Sequence, residues 1–312
     1  MIEELDARSA SEARLRGLHL VESEADERTL GAPRPAEEAL ASYRSPGTVA
    51  RRYWLATEDG EPAGAAFLSE YGASLVIGHV LVRPRFRRRG LGRALFGTLA
   101  EAARAGEVAS FFGQHATEAG AAFAHAMGAV DDDRSILSVL ELRTAELPAP
   151  SVPAGVELRS WIGATPDGLV ESFVRARNGM RDAPVPGGLE MEPWTVELQR
   201  RDEGRFIEQG KPQHVTVALE HGEVVALTGI RVPEARGVEI AFTDDTATVP
   251  AARGRGLALA VKLESLRRLR DERPDVLRVA TQNAAHNEAM LAVNRKVGFV
   301  PVLTLTSAVV TL

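Results

Sequence analysis

The chain has 312 residues, enough for two domains of about 100–200 residues each. Its formal net charge of -6 argues against a protein that binds nucleic acid or a membrane surface through a basic face. It contains no cysteine, which excludes disulfides, cysteine-ligated zinc and a cysteine nucleophile. No signal peptide and no apolar run of the ~18 residues needed for a membrane span is present, so we expect a cytoplasmic protein.

The first half begins with one or two helical stretches and continues with a β-hairpin. Alternating residues predict strands over Tyr53–Thr57 and Ala63–Leu68, joined by a turn at Asp59-Gly60. Glycine at such a turn supplies the positive φ that a tight hairpin needs. A third strand, Leu75–Val82, precedes an arginine-rich loop, a helix, a short strand, a second helix and a closing strand.

A linker is predicted where three prolines fall between Glu146 and Pro153, because proline cannot supply a regular hydrogen-bond ladder. The alternation of Val156–Trp161 then predicts a new strand. We therefore expect an N-terminal domain over 1–147, a linker over 148–154 and a C-terminal domain over 155–312.

The second half repeats the order of the first. Strands are predicted over His214–Leu219 and Val224–Ile230 around a His221-Gly222 turn, and a third strand over Val238–Val249. A basic glycine-containing loop, a helix, a strand and another helix follow. The same order at the same relative positions indicates an internal duplication.

Each half carries one R-x-x-G-x-[G/A] loop between a strand and a helix, at Arg87–Gly92 and at Arg253–Ala258. A helix N-terminus presents unpaired N–H groups and the positive end of the helix dipole. Small residues let a pyrophosphate approach the backbone, and arginines add charge and fork-shaped donors. One such loop alone is more consistent with a plain arginine-rich loop that caps a surface helix, but two copies in the same context favour phosphate binding.

These motifs resemble motif A of the GCN5-related N-acetyltransferases, the GNAT family. The segment Thr281–Met290, running on to Gly298-Phe299, is similar to motif B of that family. The resemblance covers essentially the whole chain and matches the tandem-domain actinobacterial type, distantly similar to the mycothiol synthases. It implies an α/β (α+β) fold with two GNAT-type domains, each a mixed, mainly antiparallel central sheet flanked by helices.

In this family two central strands splay apart and admit the pantetheine arm of acetyl-coenzyme A (acetyl-CoA). A backbone N–H of the strand before the loop polarises the thioester. Asn283 and Asn287 could bind the cofactor from the motif B side or could cap the helix. The cofactor-binding residues that the resemblance implies are Leu81, Val82, Arg87, Arg88, Arg89, Gly90, Leu91, Gly92, Arg93, Ala247, Thr248, Arg253, Gly254, Arg255, Gly256, Leu257, Ala258, Asn283 and Asn287.

The acceptor amine must lose a proton, and a carboxylate on the strand before the loop is the usual base. Asp244 and Asp245 occupy such a place, with Glu239 a weaker candidate; all could also be solvated acids. Strict alternation puts Asp244 on the face of Thr246 and Asp245 on the other, and a bulge would exchange them. His79 on the first-half strand could be a base or a structural residue.

The family often protonates the leaving thiolate with a tyrosine. Asn294 matches that position in the second half and Ala124 in the first, and neither side chain is a general acid. Gly113 and Thr117 replace the two motif B asparagines in the first half. We therefore expect chemistry in the C-terminal domain, while the N-terminal domain binds cofactor without turnover or serves as a scaffold.

The segment Asn178–Pro184, with Trp194 beyond it, lies where this family shapes its acceptor pocket, although it could be an ordinary Gly/Pro loop. The resemblance implies transfer of an acetyl group from acetyl-CoA to a small-molecule amine. The alternative is a non-catalytic acyl-CoA-binding module. We expect a monomer or homodimer with no metal, and no nucleic-acid binding despite the arginines between residues 83 and 93.

Overall fold

The computed structural model describes residues 1–25, 35–44, 50–71, 75–180, 193–234 and 239–312. The helices are α1 (Glu12–Ala25), α2 (Ala36–Arg44), α3 (Leu91–Ala105), α4 (Glu118–Ala126), α5 (Val170–Arg177), α6 (Val196–Glu208), α7 (Leu257–Glu272) and α8 (Glu288–Val297). None of the helices in these ranges is long and apolar enough to cross a bilayer.

The strands are β1 (Ile2–Leu5), β2 (Ala50–Glu58), β3 (Glu61–Tyr71), β4 (Leu75–Val82), β5 (Ser110–His115), β6 (Val130–Glu141), β7 (Val156–Ile162), β8 (Gln213–Glu220), β9 (Glu223–Arg231), β10 (Ile240–Thr248), β11 (Arg278–Ala284) and β12 (Val300–Thr311). Short 3-10 turns precede the two arginine loops, at Pro84–Phe86 and Pro250–Ala252. The predicted strands are present in both halves. Of the predicted strand Val238–Val249, Val238 lies outside the described residues.

Two compact units make up the chain, and the described residues of the first come from 1–134 and 305–312. Its sheet has the order β1-β2-β3-β4-β5-β12, with β4 and β5 parallel and the other neighbours antiparallel. One core lies beside α1 and α2, and a second includes Leu95 and Leu99 of α3.

The second unit takes its described residues from 135–304. Its sheet has the order β6-β11-β10-β9-β8-β7, with β10 and β11 parallel. Phe173 of α5 packs on one face against Leu227, and Leu266 of α7 packs on the other against Ile230. Both units are therefore mixed, mainly antiparallel sheets flanked by helices, as the sequence predicted.

Each unit contains a strand from the other half of the sequence. Thr306–Thr311 of β12 pairs with β5 in the first unit, and Ser135–Glu141 of β6 pairs with β11 in the second. The compact units thus differ at their ends from the predicted ranges 1–147 and 155–312. The predicted linker 148–154 lies in neither a helix nor a strand.

Both predicted hairpins end in turns that require positive φ. Asp59 and Gly60 have φ of 52° and 82°, and His221 and Gly222 have φ of 52° and 81°. Two successive residues with positive φ define a type I′ turn, whose twist matches that of the flanking strands. These turns place β2–β3 and β8–β9 in equivalent positions in the two sheets.

In each unit the two parallel strands separate after a short paired stretch. Among the described residues β10 pairs with β11 from Ile240 to Phe242, although β10 continues to Thr248. In the first unit the described residues of β4 and β5 pair at Ile77 and Phe112. Beyond these paired residues the described parts of the two parallel strands of each unit continue toward the arginine loop without further pairing to each other, which is where the resemblance predicts the splay.

Candidate active site

A β-bulge interrupts β10 at the two predicted carboxylates. Thr243 pairs with Ile230 and Asp245 pairs with Gly229, which leaves Asp244 as the extra residue. An extra residue changes which face the neighbouring side chains occupy. The placement of Asp244 on the face of Thr246 is therefore wrong: Asp244 reaches Gln213 and Arg231 on the opposite face.

Asp244 is held by one cation and one amide. The Nε of Arg231 donates to its Oδ1 at 2.5 Å, and the Nε2 of Gln213 donates to its Oδ2 at 2.8 Å. Only 14% of the side chain is exposed. Burial raises the pKa of the Asp244 carboxyl above its ordinary value, although the Arg231 charge opposes this effect. A carboxyl with a raised pKa is better matched to proton abstraction near neutral pH.

Asp245 lies on the same side of the sheet, toward α5, and forms an ion pair. The guanidinium of Arg177 approaches its carboxylate to 2.7 Å and that of Asp202 to 3.7 Å. Arg177 also stacks over the Trp194 ring, with its Cζ 3.9 Å from the ring centre. Asp245 is therefore tied into a network that orders α5 and α6 around the bulge.

Asn178, the first residue of the predicted acceptor segment, is hydrogen-bonded to Trp194 of this network. The Nδ2 of Asn178 donates to the Trp194 carbonyl at 2.9 Å, and the Trp194 N–H donates to the Asn178 Oδ1 at 2.8 Å. The Trp194 indole N–H donates to Gln199 of α6. Asn178 thus joins the two ends of the loop between α5 and α6, whose residues 181–192, including the predicted 181–184, lie outside the described residues.

The second arginine loop ends in an open helix N-terminus. Gly254 and Gly256 have φ of 75° and 78°, and Gly256 is the N-cap of α7. No side chain in the described ranges caps this helix. A Cβ built on either glycine would meet no described atom within 4 Å, so both lie in open space. The first N–H groups of α7 are therefore available to an anion such as a pyrophosphate.

The first arginine loop has the same backbone conformation. Arg88 and Gly90 have φ of 65° and 83°, at the positions of Gly254 and Gly256, and Gly90 is the N-cap of α3. The described part of the chain supplies no side-chain cap here either. Arg88 and Arg93 are exposed beside this helix end, where the second loop has Gly254 and Leu259.

Two arginines of each loop bind the protein itself. Arg87 and Arg253 donate from Nε to the carbonyls of Val82 and Thr248, five residues back, at 3.0 and 3.3 Å. Their neighbours Arg89 and Arg255 form ion pairs with glutamates at the end of the preceding hairpin strand, Glu58 and Glu220 respectively. These contacts fix the loop to the sheet, a role that the sequence analysis did not anticipate.

The motif B asparagines have partners within the protein. The Oδ1 of Asn287 accepts from the Met290 N–H at 3.1 Å, so Asn287 is the N-cap of α8. The Oδ1 of Asn283 accepts from the Nδ2 of Asn294 at 2.7 Å. Asn294, at the position of the family tyrosine, is buried, and its own Oδ1 has no partner among the described residues.

The remaining predicted residues are placed as follows. Leu81 and Val82 are half-buried at the end of β4, paired with Ala65 and Gly64. Ala247 is buried against α5, and Thr248 ends β10. Gly92 lies close to Phe123 of α4. The weaker candidates are His79, half-buried on β4, and Glu239, which lies 3.4 Å from Arg278.

Sequence reasoning missed the partners of the carboxylates. Gln213 and Arg231 face each other across β8 and β9, and both reach Asp244. Arg253 additionally donates to the Gly179 carbonyl at 2.7 Å, which links the arginine loop to the acceptor segment. No local sequence pattern predicts these contacts, because the partners are 13 to 74 positions apart in sequence.

With this geometry in view, comparison with known proteins identifies the class. The profile of the Acetyltransferase (GNAT) family matches residues 19–128. A mycothiol acetyltransferase of Amycolatopsis mediterranei (strain U-32) is 32% identical over 257 residues, which cover 78% of this chain and 79% of that protein. One from Salinispora tropica is 30% identical, covering 84% and 82%. The chain belongs to the GNAT family of acetyltransferases.

Solved structures show the same tandem architecture. A tandem GNAT protein from the clavulanic acid biosynthesis pathway superposes with a TM-score of 0.83 at 26% identity, covering 100% of this chain and 98% of that one. A GCN5-related N-acetyltransferase from Sphaerobacter thermophilus shares the fold, with a TM-score of 0.70 at 18% identity and coverage of 99% and 95%. The protein is therefore a tandem GNAT acetyltransferase, similar over most of its length to mycothiol acetyltransferases.

Proposed function

We propose that the chain transfers an acetyl group from acetyl-CoA to the amine of a small molecule, and that the reaction takes place in the second unit. One observation carries the proposal. The gap between β10 and β11 begins at the bulge that bears Asp244 and Asp245, and β10 then leads to the open N-terminus of α7. A thioester in this gap would have phosphate-binding groups at one end and a carboxylate at the other.

Acetyl-CoA supplies an acetyl group activated as a thioester. The N–H groups at the start of α7 would hold its pyrophosphate, and the glycines of the loop leave the room that this requires. The backbone of β10 between Asp245 and Thr248 would orient the pantetheine arm and polarise the thioester carbonyl. Asn283 stands on the facing strand β11.

Asp244 is the residue that would take the proton from the acceptor. Each of its oxygens accepts one hydrogen bond from the protein and retains a lone pair. The amine nitrogen would lose a proton to Asp244, the new C–N bond would form at the thioester carbon, and the C–S bond would break. Asp245, which forms an ion pair with Arg177, would instead order the acceptor pocket.

The leaving thiolate would take its proton from solvent, since Asn294 has no acidic proton to give. This departure from the family pattern is also what favours the second candidate, a module that binds acyl-CoA without turnover. In that case Asn294 and Asn283 would form only a structural pair.

Release of coenzyme A separates the two candidates. The chain contains no cysteine, so the protein itself contributes no thiol, and release of coenzyme A is measured as the increase over the thiol content of the acceptor. We expect acetyl-CoA to raise the melting temperature of the full chain and thiol release to accelerate with an acceptor from an amine panel. The name of the relatives makes mycothiol-related amines the first members of that panel.

Three results are decisive. Stabilisation by acetyl-CoA together with amine-dependent thiol release supports the enzyme. Stabilisation without turnover for any amine favours the binding module. Absence of stabilisation at saturating acetyl-CoA would overturn both.

A further inference from the structure

Three residues with metal-binding side chains meet in the first unit, apart from the candidate active site. His115 is the last residue of β5, His125 lies in the last turn of α4, and Asp131 is the second residue of β6. Their three donor atoms all lie within 4.8 Å of one another. None of the three takes part in the proposed reaction, and none lies in either arginine loop.

The two imidazoles converge on one carboxylate oxygen. The Nε2 of His115 lies 2.9 Å from the Asp131 Oδ1, and the Nε2 of His125 lies 3.1 Å from the same atom. Around a tetrahedral zinc ion with bonds of about 2.0–2.1 Å, neighbouring ligand atoms are about 3.3 Å apart. The two nitrogen–oxygen separations are within a few tenths of an ångström of that value, and the two nitrogens lie within 4.8 Å of each other. Binding of an ion would require these side chains to turn so that all three donor atoms face one point.

A helix cap, close packing and strand pairing hold the backbone around the cluster. Thr117 caps α4 by accepting from the Gly120 N–H at 3.2 Å. A Cβ on Gly120 would approach the His115 Cβ to 3.1 Å, so the glycine lets α4 lie directly on His115. His115 is also paired with Thr306 of β12. The pairing of β5 with β12 thus positions His115, and the close packing of α4 on β5 positions the helix that carries His125.

Exposure and charge are also suited to capture of a cation. The side chains of His125 and Asp131 are 52% and 42% exposed, whereas that of His115 is 11% exposed. Solvent can therefore reach the cluster. Asp132 and Asp133 follow directly on β6.

We propose that His115, His125 and Asp131 bind a zinc ion. Imidazole nitrogen is a preferred ligand of zinc and other late first-row dications, whereas magnesium and calcium prefer sites made only of oxygen. Three protein ligands leave a fourth tetrahedral position for water or another small ligand, which is the arrangement of an open zinc site. Both imidazoles bind through Nε2 and so carry their proton on Nδ1.

The site is specific to the first half of the duplicated sequence. The positions that match His115, His125 and Asp131 in the second half are Ala285, Arg295 and Pro301. The sequence analysis predicted no metal, because the three residues form no recognisable ligand spacing. They come together only when β5, α4 and β6 fold against one another.

The test is zinc titration of the tag-free full chain after treatment with EDTA and dialysis, followed by calorimetry. We expect one zinc ion per chain, a visible spectrum of tetrahedral type when Co²⁺ replaces zinc, and no competition from a large excess of Mg²⁺. His125→Ala and Asp131→Asn should each weaken zinc binding by about tenfold or more. Both side chains are exposed, so these variants should fold.

Asp132→Asn is the matched control, since it removes a neighbouring carboxylate of β6 but no ligand, and it should retain zinc affinity within about twofold. Circular dichroism of each variant confirms the fold. If the wild-type chain binds no zinc at micromolar concentrations, or if His125→Ala and Asp131→Asn bind zinc as tightly as the wild type, the cluster is only a hydrogen-bonded group and the proposal is overturned.

Discussion

Asp244 and Asp245 are adjacent carboxylates in different electrostatic environments. Asp245 faces the guanidinium of Arg177, while Asp244 is buried at the bulge, where desolvation outweighs the attraction of Arg231. Burial disfavours the charged form of the Asp244 carboxyl and so raises its pKa. The residue with the raised pKa is therefore the one we assign as base.

Asp244→Asn is expected to lower kcat/KM by about 10²–10⁴-fold, the usual contribution of a general base. The dissociation constant of acetyl-CoA should change little, since the Asp244 side chain lies on β10 and not in the second arginine loop. Steady-state kinetics and calorimetry measure the two effects. Asp271→Asn, on the exposed side of α7, is the control. Full activity of Asp244→Asn would refute the assignment.

The raised pKa of Asp244 also determines the direction in which the stability of the folded protein changes with pH. Because the folded state favours the neutral carboxyl, the folded protein loses stability as pH rises through the ordinary carboxyl range. Asp244→Asn should therefore have a free energy of unfolding at pH 7 at least equal to that of the wild type. Urea unfolding at pH 4 and pH 7 measures this, and a clearly destabilised variant at pH 7 would contradict the direction of the pKa shift.

Lys262 is a second buried ionisable residue. It lies in α7 with its Nζ 5.2 Å from the centre of the Phe299 ring, and burial lowers its pKa to about 7. An unfolded lysine titrates near pH 10.4. Between these pH values the unfolded chain binds the proton more strongly, so stability should rise as pH increases across this window.

Lys262→Met should raise the free energy of unfolding at pH 7 by about 1–3 kcal/mol, because methionine fills a similar volume without a charge to desolvate. The gain should shrink as pH approaches 10. Urea denaturation at pH 7 and pH 9.5 tests the prediction. Lys296→Met, at an exposed position of α8, is the control and should change stability little at either pH.

At the scale of elements, the two arginine loops are built on the same plan. Both place a positive-φ glycine at the helix N-cap, and both tie one arginine to the carbonyl at the end of the preceding strand. They differ in what lies around them: only the second is associated with the strand carboxylates, the asparagine pair and the Asn178 segment. The same local sequence therefore predicts binding in both units but chemistry in one.

Matched variants of the N-cap glycines separate binding from chemistry. Gly256→Asp places a carboxylate against the phosphate position and should lower kcat/KM for acetyl-CoA by about 100-fold or more. Gly90→Asp, with the same positive φ, should leave kcat/KM within about twofold. Kinetics of the two variants, together with calorimetric stoichiometry, also shows whether both loops bind cofactor.

Strain at a positive φ needs its own control, since a non-glycine residue there costs about 1–2 kcal/mol. Gly163→Asp supplies it, because Gly163 follows β7 with φ of 83°, apart from the loop. It should lower stability but leave the KM for acetyl-CoA unchanged. If Gly90→Asp abolished turnover and Gly256→Asp did not, the reaction would belong to the first unit.

At the scale of the whole molecule, each sheet is completed by a strand from the other half. β5 carries the buried Phe111 and Phe112 and is paired on one side by Thr306–Thr311 of β12. β11 is paired by Ser135–Glu141 of β6. A strand that loses such a partner exposes unpaired backbone groups and the apolar residues beneath them.

Separate expression of residues 1–147 and 155–312 is therefore expected to give unstable or aggregating fragments. The first lacks the β12 partner of β5, and the second lacks the β6 partner of β11. Co-expression should restore a soluble complex, since all strands are then present. Size-exclusion chromatography and near-UV circular dichroism test this. Two independently folded monomeric fragments would show that the predicted ranges are complete domains.

Much of the fold follows from local sequence. The hairpin turns at Asp59-Gly60 and His221-Gly222, the strand Leu75–Val82 and the glycine N-caps of α3 and α7 depend on residues within a few positions of one another. Alternation, helical periodicity and positive-φ glycines act over such distances. The duplication and the position of the two arginine loops were therefore predictable, as was the place of the two carboxylates on β10.

Tertiary structure decided the features that depend on pairing between distant residues. The bulge at Asp244 reflects how β10 aligns with β9, and it reversed the face that strict alternation assigns. The exchange of β6 and β12, and the meeting of His115, His125 and Asp131, likewise depend on which strands and helices become neighbours. The sequence specifies such contacts only through the packing of the whole chain, so no local pattern predicts them.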